Sequence, residues 1–196
     1  NACCNRQNGG IGPNTAILSI AAGIPIASLQ AAVDPTVPVI RCMPNTPAMI
    51  GKGASGLFAT AQASDAHRAL AEQVTNAVGM TMWVPSEALL DAVTAVSGSG
   101  PAYFFALIES IIAAGIDLGL DQKTAVALTL QTAIGAAELA GRSELPISTL
   151  RENVTSPGGT TEQALLALQS HHFDEIITHA VQACAERART LGEEFG

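Results

Sequence analysis

The sequence predicts an α/β layer followed by an all-α half, and two observations predict it. Up to about residue 84, short apolar runs alternate with turns and helical stretches; after Pro85, helical periodicity is almost continuous, broken only at Gly119, Gly141 and Pro157-Gly158-Gly159. The change of texture near residue 85 divides the chain into residues 1–85 and 86–196.

The elements follow in order. Thr15 to Ala21 (TAILSIA) reads as a buried strand ended by Gly23, and Ser28 to Val33 as one or two helical turns. Val37 to Met43 (VPVIRCM) is a second strand stopped by Pro44, and Ala54 to Ala59 a third. Ser64 offers an N-cap to a helix on which Leu70, Val74 and Val78 recur every four residues, with Gly79 at its stop. Met80 to Val84 closes the layer as a strand. Helices are expected over 86–95, 101–118, 122–140, 161–170 and 173–193.

Composition narrows the function classes. With 48% apolar residues the chain can build a core, so disorder is excluded. Nine Lys and Arg against seventeen Asp and Glu leave a net charge of −8, which offers no electrostatic footprint for nucleic acid or an anionic membrane. Four cysteines, Cys3 and Cys4 adjacent and Cys42 and Cys184 alone, match no zinc or disulfide framework and read as reduced thiols in the cytoplasm. The start NACCNRQ has neither Met nor the layout of a signal peptide, and reads as part of a longer chain. Ala102 to Leu120 is about long enough to span a bilayer, but Glu109 and Asp117 make a buried helix of a soluble protein the better reading. Segments such as KTAVALTLQTAIGAAELA are apolar nearly all round, so the helical half is expected to bury its excess against another copy.

Several motifs bear on chemistry. Gly51-Lys52-Gly53-Ala54-Ser55-Gly56 matches GxGxxG, but prolines precede it and a strand-like run follows, whereas a dinucleotide loop needs a strand before and a helix after. It reads as a flexible connection between strands. In SPGGTTEQ (156–163), Thr160 and Gln163 have capping-box spacing, and Gly158 and Gly159 permit a concavity of N–H groups at a helix start, suited to a carboxylate. An ordinary glycine-rich helix entry explains the same residues. Ser97-Gly98-Ser99-Gly100-Pro101 lets either a ligand or a packed helix approach the backbone. Pro44-Asn45-Thr46-Pro47 lies past a strand end, where α/β sheets place ligands, or is simply a rigid turn. His171, Glu175 and His179 have i, i+4, i+8 spacing, though a solvated face is a better reading than a metal site. No GxSxG, HExxH or Walker A pattern indicates another chemistry.

Taken in order, SIAAGIPIASL (19–29), VIRCMPNTPAMIGKGASGLFA (39–59), DAVTAVSGSGPAYFFALIESI (91–111) and LRENVTSPGGTTEQAL (150–165) resemble the Δ1-pyrroline-5-carboxylate reductase family. The resemblance implies a partial Rossmann-like NAD(P)-binding region over 1–85 and a helical dimerisation and substrate-binding region over 86–196. The family's opening strand and true glycine loop have no counterpart among these residues. It further implies hydride transfer from NADPH or NADH to a cyclic imine, giving L-proline, in a cytoplasmic homo-oligomer. The residues implied for substrate are Ser156, Gly158, Gly159, Thr160 and Thr161, with Glu87 and Glu144 as acidic neighbours; Thr161 is the candidate at the ring nitrogen. Ala22, Asn45, Thr46 and Asn153 are implied for the cofactor, and no metal is expected. The competing reading is a catalytically incomplete oligomerisation and substrate-binding fragment; a weaker third is a related reductase for another small acid.

Overall fold

The computed structural model describes residues 15–195. The expectations for Cys3, Cys4 and the first thirteen residues lie outside that range. The described chain separates into two compact units, residues 15–101 with 181–195, and residues 102–180. This division by compactness differs from the change of texture near residue 85, because the first helices after Pro85 pack with the sheet.

In the first unit the strands are β1 (Ile17–Ser19), β2 (Val39–Met43), β3 (Gly53–Ala59) and β4 (Gly79–Trp83), in spatial order β1-β2-β3-β4. β1 is parallel to β2, β2 antiparallel to β3, and β3 parallel to β4. The first strand is shorter than TAILSIA suggests, and residues 22 and 23 form a turn, with Gly23 at φ +69°. The helices of this unit are α1 (Ile26–Ala31), α2 (Asp65–Asn76) and α3 (Leu89–Val93). A 3₁₀ turn over Thr46–Ile50 joins β2 to β3. Because that connection is short, the two strands run antiparallel.

The GxGxxG segment is not a flexible connection: Gly53 to Gly56 belong to β3. A Cβ at Gly56 would lie 2.6 Å from the Val93 side chain, so this glycine lets the following helix sit on the sheet. Likewise Gly53 and Gly79 face each other in register where β3 and β4 begin to pair.

Ile40, Cys42, Leu57, Ala59, Ala63 and Ala71 form the core of this unit, with Leu18 and Trp83 packed against it. α2 begins as its sequence demands: the Ser64 hydroxyl accepts from the His67 amide, and the His67 side chain returns a bond to the Ser64 amide. Ser64→Ala should cost about 1 kcal/mol, read as a lower urea midpoint. The face of α2 differs from expectation. Ala71 and Thr75 are buried, while the Leu70, Val74 and Val78 stripe is exposed. Small Ala71 admits the sheet closely, and the Thr75 hydroxyl bonds the Ala71 carbonyl and Thr81 on β4. Gly79 opens β4 instead of merely ending the helix.

After α3 the helix widens into a π-turn over Thr94–Gly98 before α4 (Gly100–Asp117). The expected single helix over 86–95 is therefore a turn, a short α-helix and this π segment. The remaining helices are α5 (Gln122–Arg142), α6 (Ile147–Asn153), α7 (Thr160–Ser170) and α8 (Phe173–Phe195). The short α6 has no counterpart in the periodicity reading. α5 is capped by Asp121, whose carboxylate accepts from the amide and hydroxyl of Thr124; those bonds hold its pKa below the usual range.

Within the second unit, Gly115 of α4 packs beside Leu120 and Ala125, where a Cβ would make ordinary van der Waals contacts. Beside that contact lies an open apolar groove of about 490 Å³, lined by Phe104, Leu107, Ile111, Leu128 and Ala133 among others. The helix expected to be buried over 102–120, within the chain or in a subunit interface, is open in the single chain, where Phe104 is 66% and Phe105 58% exposed. The stretch Leu89–Asp117 is long and apolar enough to cross a membrane by length and composition alone.

Candidate functional site

The predicted cofactor residues of the first unit gather at one end of the sheet. Ser19 pairs with Arg41 in parallel register, so the turn holding Ala22 and the turn holding Asn45 and Thr46 both leave the carboxyl ends of β1 and β2. Open α/β sheets collect ligands at that end because helix starts and turns converge there. Ala22 and Thr46 are exposed. Asn45 has a different commitment: its side-chain oxygen accepts from the Ala54 amide at 2.9 Å, and its nitrogen donates to the Ser97 carbonyl at 3.2 Å and hydroxyl at 3.3 Å. It clasps the PNTP turn to β3 and the π-turn. In SGSGP, Gly98 packs against β2, where a Cβ would meet Met43 Sδ at 3.2 Å.

Glu87 is also committed within this unit. Its Oε1 accepts from Arg41 Nη1 and from the Ile26 amide, each at 2.7 Å. Asp91 lies one turn further on. Burial pushes its carboxyl above the usual range; Arg41 opposes the rise, Glu87 adds to it and Arg189 opposes it. A folded-state pKa above the unfolded value means that ionised Asp91 opposes folding at neutral pH, and that this penalty fades as pH falls through the folded value. Asp91→Asn should therefore raise the melting temperature at pH 7, with the gain shrinking towards pH 4.

The predicted substrate residues on the PGG loop are together in the second unit, with Glu144 and Asn153 in the same unit and Glu87 in the other. α6 ends at Asn153, the backbone turns through Ser156 to Gly159, with Gly158 at φ +71°, and α7 starts at Thr160. The expected capping box does not form. Gly159 is the N-cap and Thr160 the first helical residue, so the Thr160 hydroxyl has no cap to make. Glu162 instead reaches back, accepting from the Gly158 amide at 2.7 Å, while the Gly159 amide donates to the Ser156 carbonyl at 2.9 Å. Two of the four expected amides thus have internal acceptors. Those of Thr160 and Thr161 stand in the first helical turn, where no intrahelical acceptor exists and the helix dipole favours an anion. The Glu162 carboxylate occupies the Gly158 amide alone. Ser156 and Thr160 are exposed and Thr161 half-buried; Glu144 is exposed in the turn before α6.

The histidine spacing does not survive folding. His171 caps the end of α7, with its Nδ1 2.9 Å from the Ala167 carbonyl, and α8 begins only at Phe173. His171 and His179 thus do not share a helix. Among the described residues, no three His, Cys, Asp or Glu side chains gather as metal ligands.

A small mixed sheet with helices, followed by helices with exposed apolar faces, defines the class: an α/β layer joined to an all-α region. The family described as pyrroline-5-carboxylate reductase dimerisation matches residues 87–191. A pyrroline-5-carboxylate reductase of Pseudomonas aeruginosa is 50% identical over 195 residues, covering 100% of this chain and 71% of the relative. The structure of a pyrroline-5-carboxylate reductase from Coxiella burnetii superposes with TM-score 0.88 at 40% identity, covering 91% of this chain and 66% of that one. The Plasmodium falciparum pyrroline carboxylate reductase, solved with NADP bound, gives TM-score 0.85 at 31% identity, covering 91% and 68%. The chain belongs to the pyrroline-5-carboxylate reductase family, and spans about two thirds of the length of these relatives.

Proposed function

We propose that this chain carries the substrate-binding part and the C-terminal portion of the NAD(P)-binding part of a pyrroline-5-carboxylate reductase, and reduces 1-pyrroline-5-carboxylate to L-proline with NADPH or NADH. In this reading residues 1–85 serve the cofactor and residues 86–196 the substrate and the homodimer or larger homo-oligomer. The observation that carries it is the start of α7, where a glycine turn presents main-chain donors to a carboxylate.

The substrate carboxylate takes the amides of Thr160 and Thr161 and the Ser156 hydroxyl. Gly158 and Gly159 shape the turn, and the Gly158 amide becomes available when Glu162 swings away. Thr161 orients the ring nitrogen through its hydroxyl. A threonine of ordinary pKa is a poor acid, so water supplies the proton that makes the C=N bond a better electrophile. Glu144 contributes negative charge that favours the iminium. When bound, a reduced nicotinamide would supply the hydride to the carbon of the C=N bond. The chain's part is alignment. Its donor set fits the uncharged nicotinamide end: neither residues 20–26 nor residues 44–50 hold a charged side chain, Ala22 leaves room for a flat ring, and Thr46 offers a hydroxyl. Asn45 supports Thr46 by holding its turn, and Asn153 adds an amide ahead of the PGG loop. The unpaired thiols of Cys42 and Cys184 accord with a cytoplasmic setting, and the exposed apolar faces of α4 and α5 with self-association.

The chain's share of its relatives' length favours a second reading, an assembly and substrate-binding fragment without turnover of its own. Absorbance at 340 nm with the cyclic imine separates the two. Steady oxidation of NADPH by this chain is expected; none, alongside full turnover by a longer chain, identifies the fragment.

A further inference from the structure

β2 is buried along its whole length, yet its central residue is Arg41, 9% exposed. A buried guanidinium is tolerated only when a carboxylate answers it with good geometry, and Glu87 does so at 2.7 Å. The same carboxylate oxygen receives the amide of Ile26, the first residue of α1. The residue before it, Pro25, gives that helix no side-chain cap, so Glu87 acts as a cap from 61 positions away. The result is a tether from the centre of the sheet to the turn over residues 20–25, which otherwise hangs from the three-residue edge strand β1 and rests by Gly23 on Leu191 of α8.

We propose that Glu87 is a positioning residue for the cofactor side of the reaction: braced by Arg41, it fixes the turn that presents Ala22. This rests on the function proposed above and revises the role that the resemblance implies for Glu87. Both short hydrogen bonds fall on Oε1, which fixes the carboxylate between the sheet and the start of α1, and the turn it holds lies at the ligand end of the sheet.

Three variants test the tether. Ile26→Pro deletes only the amide donor and shortens one side chain. Pro25 is already extended (φ −71°, ψ 157°), as a residue before proline must be, and proline is favoured at a first helical position. Glu87→Gln keeps an acceptor oxygen for the Ile26 amide but removes the charge that answers Arg41, while Glu87→Ala removes both. NADPH binding, followed by its fluorescence, should weaken about tenfold in Ile26→Pro and Glu87→Ala and stay within about threefold in Glu87→Gln. Amide hydrogen exchange should quicken over residues 21–24 in Ile26→Pro and Glu87→Ala and not in β2 or β3. The KM for the imine should move less than about threefold throughout. Where Glu87→Ala fails to fold, Ile26→Pro decides alone, because it keeps the ion pair. Unchanged exchange and NADPH affinity in Ile26→Pro overturn the proposal. So does a raised imine KM in Glu87→Gln with NADPH affinity intact, which would put Glu87 on the substrate. A wild-type chain that binds no NADPH overturns the functional reading itself, and is told apart because the variants are then not needed.

Discussion

Thr161→Ala lowers kcat/KM for the cyclic imine by roughly tenfold or more while leaving the melting temperature close to that of the parent. Thr161 is half-buried in the first turn of α7, and no side-chain hydrogen bond to the rest of the chain engages its hydroxyl among those described, so little folding energy is at stake. What the variant would lose is the hydroxyl that the proposed function assigns to the ring nitrogen. If the hydroxyl orients the ring and does not donate the proton, Thr161→Ser recovers most of the rate and the pH profile keeps its shape. Steady-state kinetics with imine and NADPH varied in turn measure this; an unaltered kcat/KM in Thr161→Ala would remove the residue from the site.

The second large effect falls on folding. Gly79→Ala should destabilise the first unit by about 3 kcal/mol or more, seen as a lower urea midpoint. A Cβ at Gly79 would lie 2.0 Å from the Gly53 carbonyl oxygen, and every nearby atom that it meets is backbone. No rotamer change relieves such an overlap. Only separation of β3 from β4 would, and β3 carries Leu57, one of the most completely buried side chains of the unit. Circular dichroism should show the loss concentrated in the sheet, with the α4–α5 helices less affected because they belong to the other compact unit.

Local signals carried much of the architecture into the sequence. VIRCM reads as a buried strand because it is one; Ser64 caps α2 because serine at that position has a free amide within reach; and α4, α5, α7 and α8 fall within a few residues of their expected spans. The PGG turn is legible for the same reason, since its glycines, and the helix start that follows, act within a handful of residues. Exposure was less legible. Periodicity shows that Leu70, Val74 and Val78 share a face of α2, but not that this face turns outward while Ala71 and Thr75 meet the sheet. Nor does it separate a helix buried in its own chain from one, like α4, whose apolar face stays open.

The roles of Asn45 and Glu87 lay beyond sequence reasoning altogether. Their partners are Ser97 and Ala54 for one, and Arg41 and Ile26 for the other, up to 61 positions distant. A charged Arg in the middle of an apolar strand is the one signal that could have pointed to a buried pair, but it does not say with whom.

The order of strands and helices, the glycine turn ahead of α7 and the family to which those motifs belong are thus written in the chain's local chemistry. Tertiary structure alone decided which polar atoms are spent on holding the fold and which stay available for a ligand. Hydrogen-bond partners far apart in sequence are chosen by the packing of whole elements, and no local pattern encodes that choice.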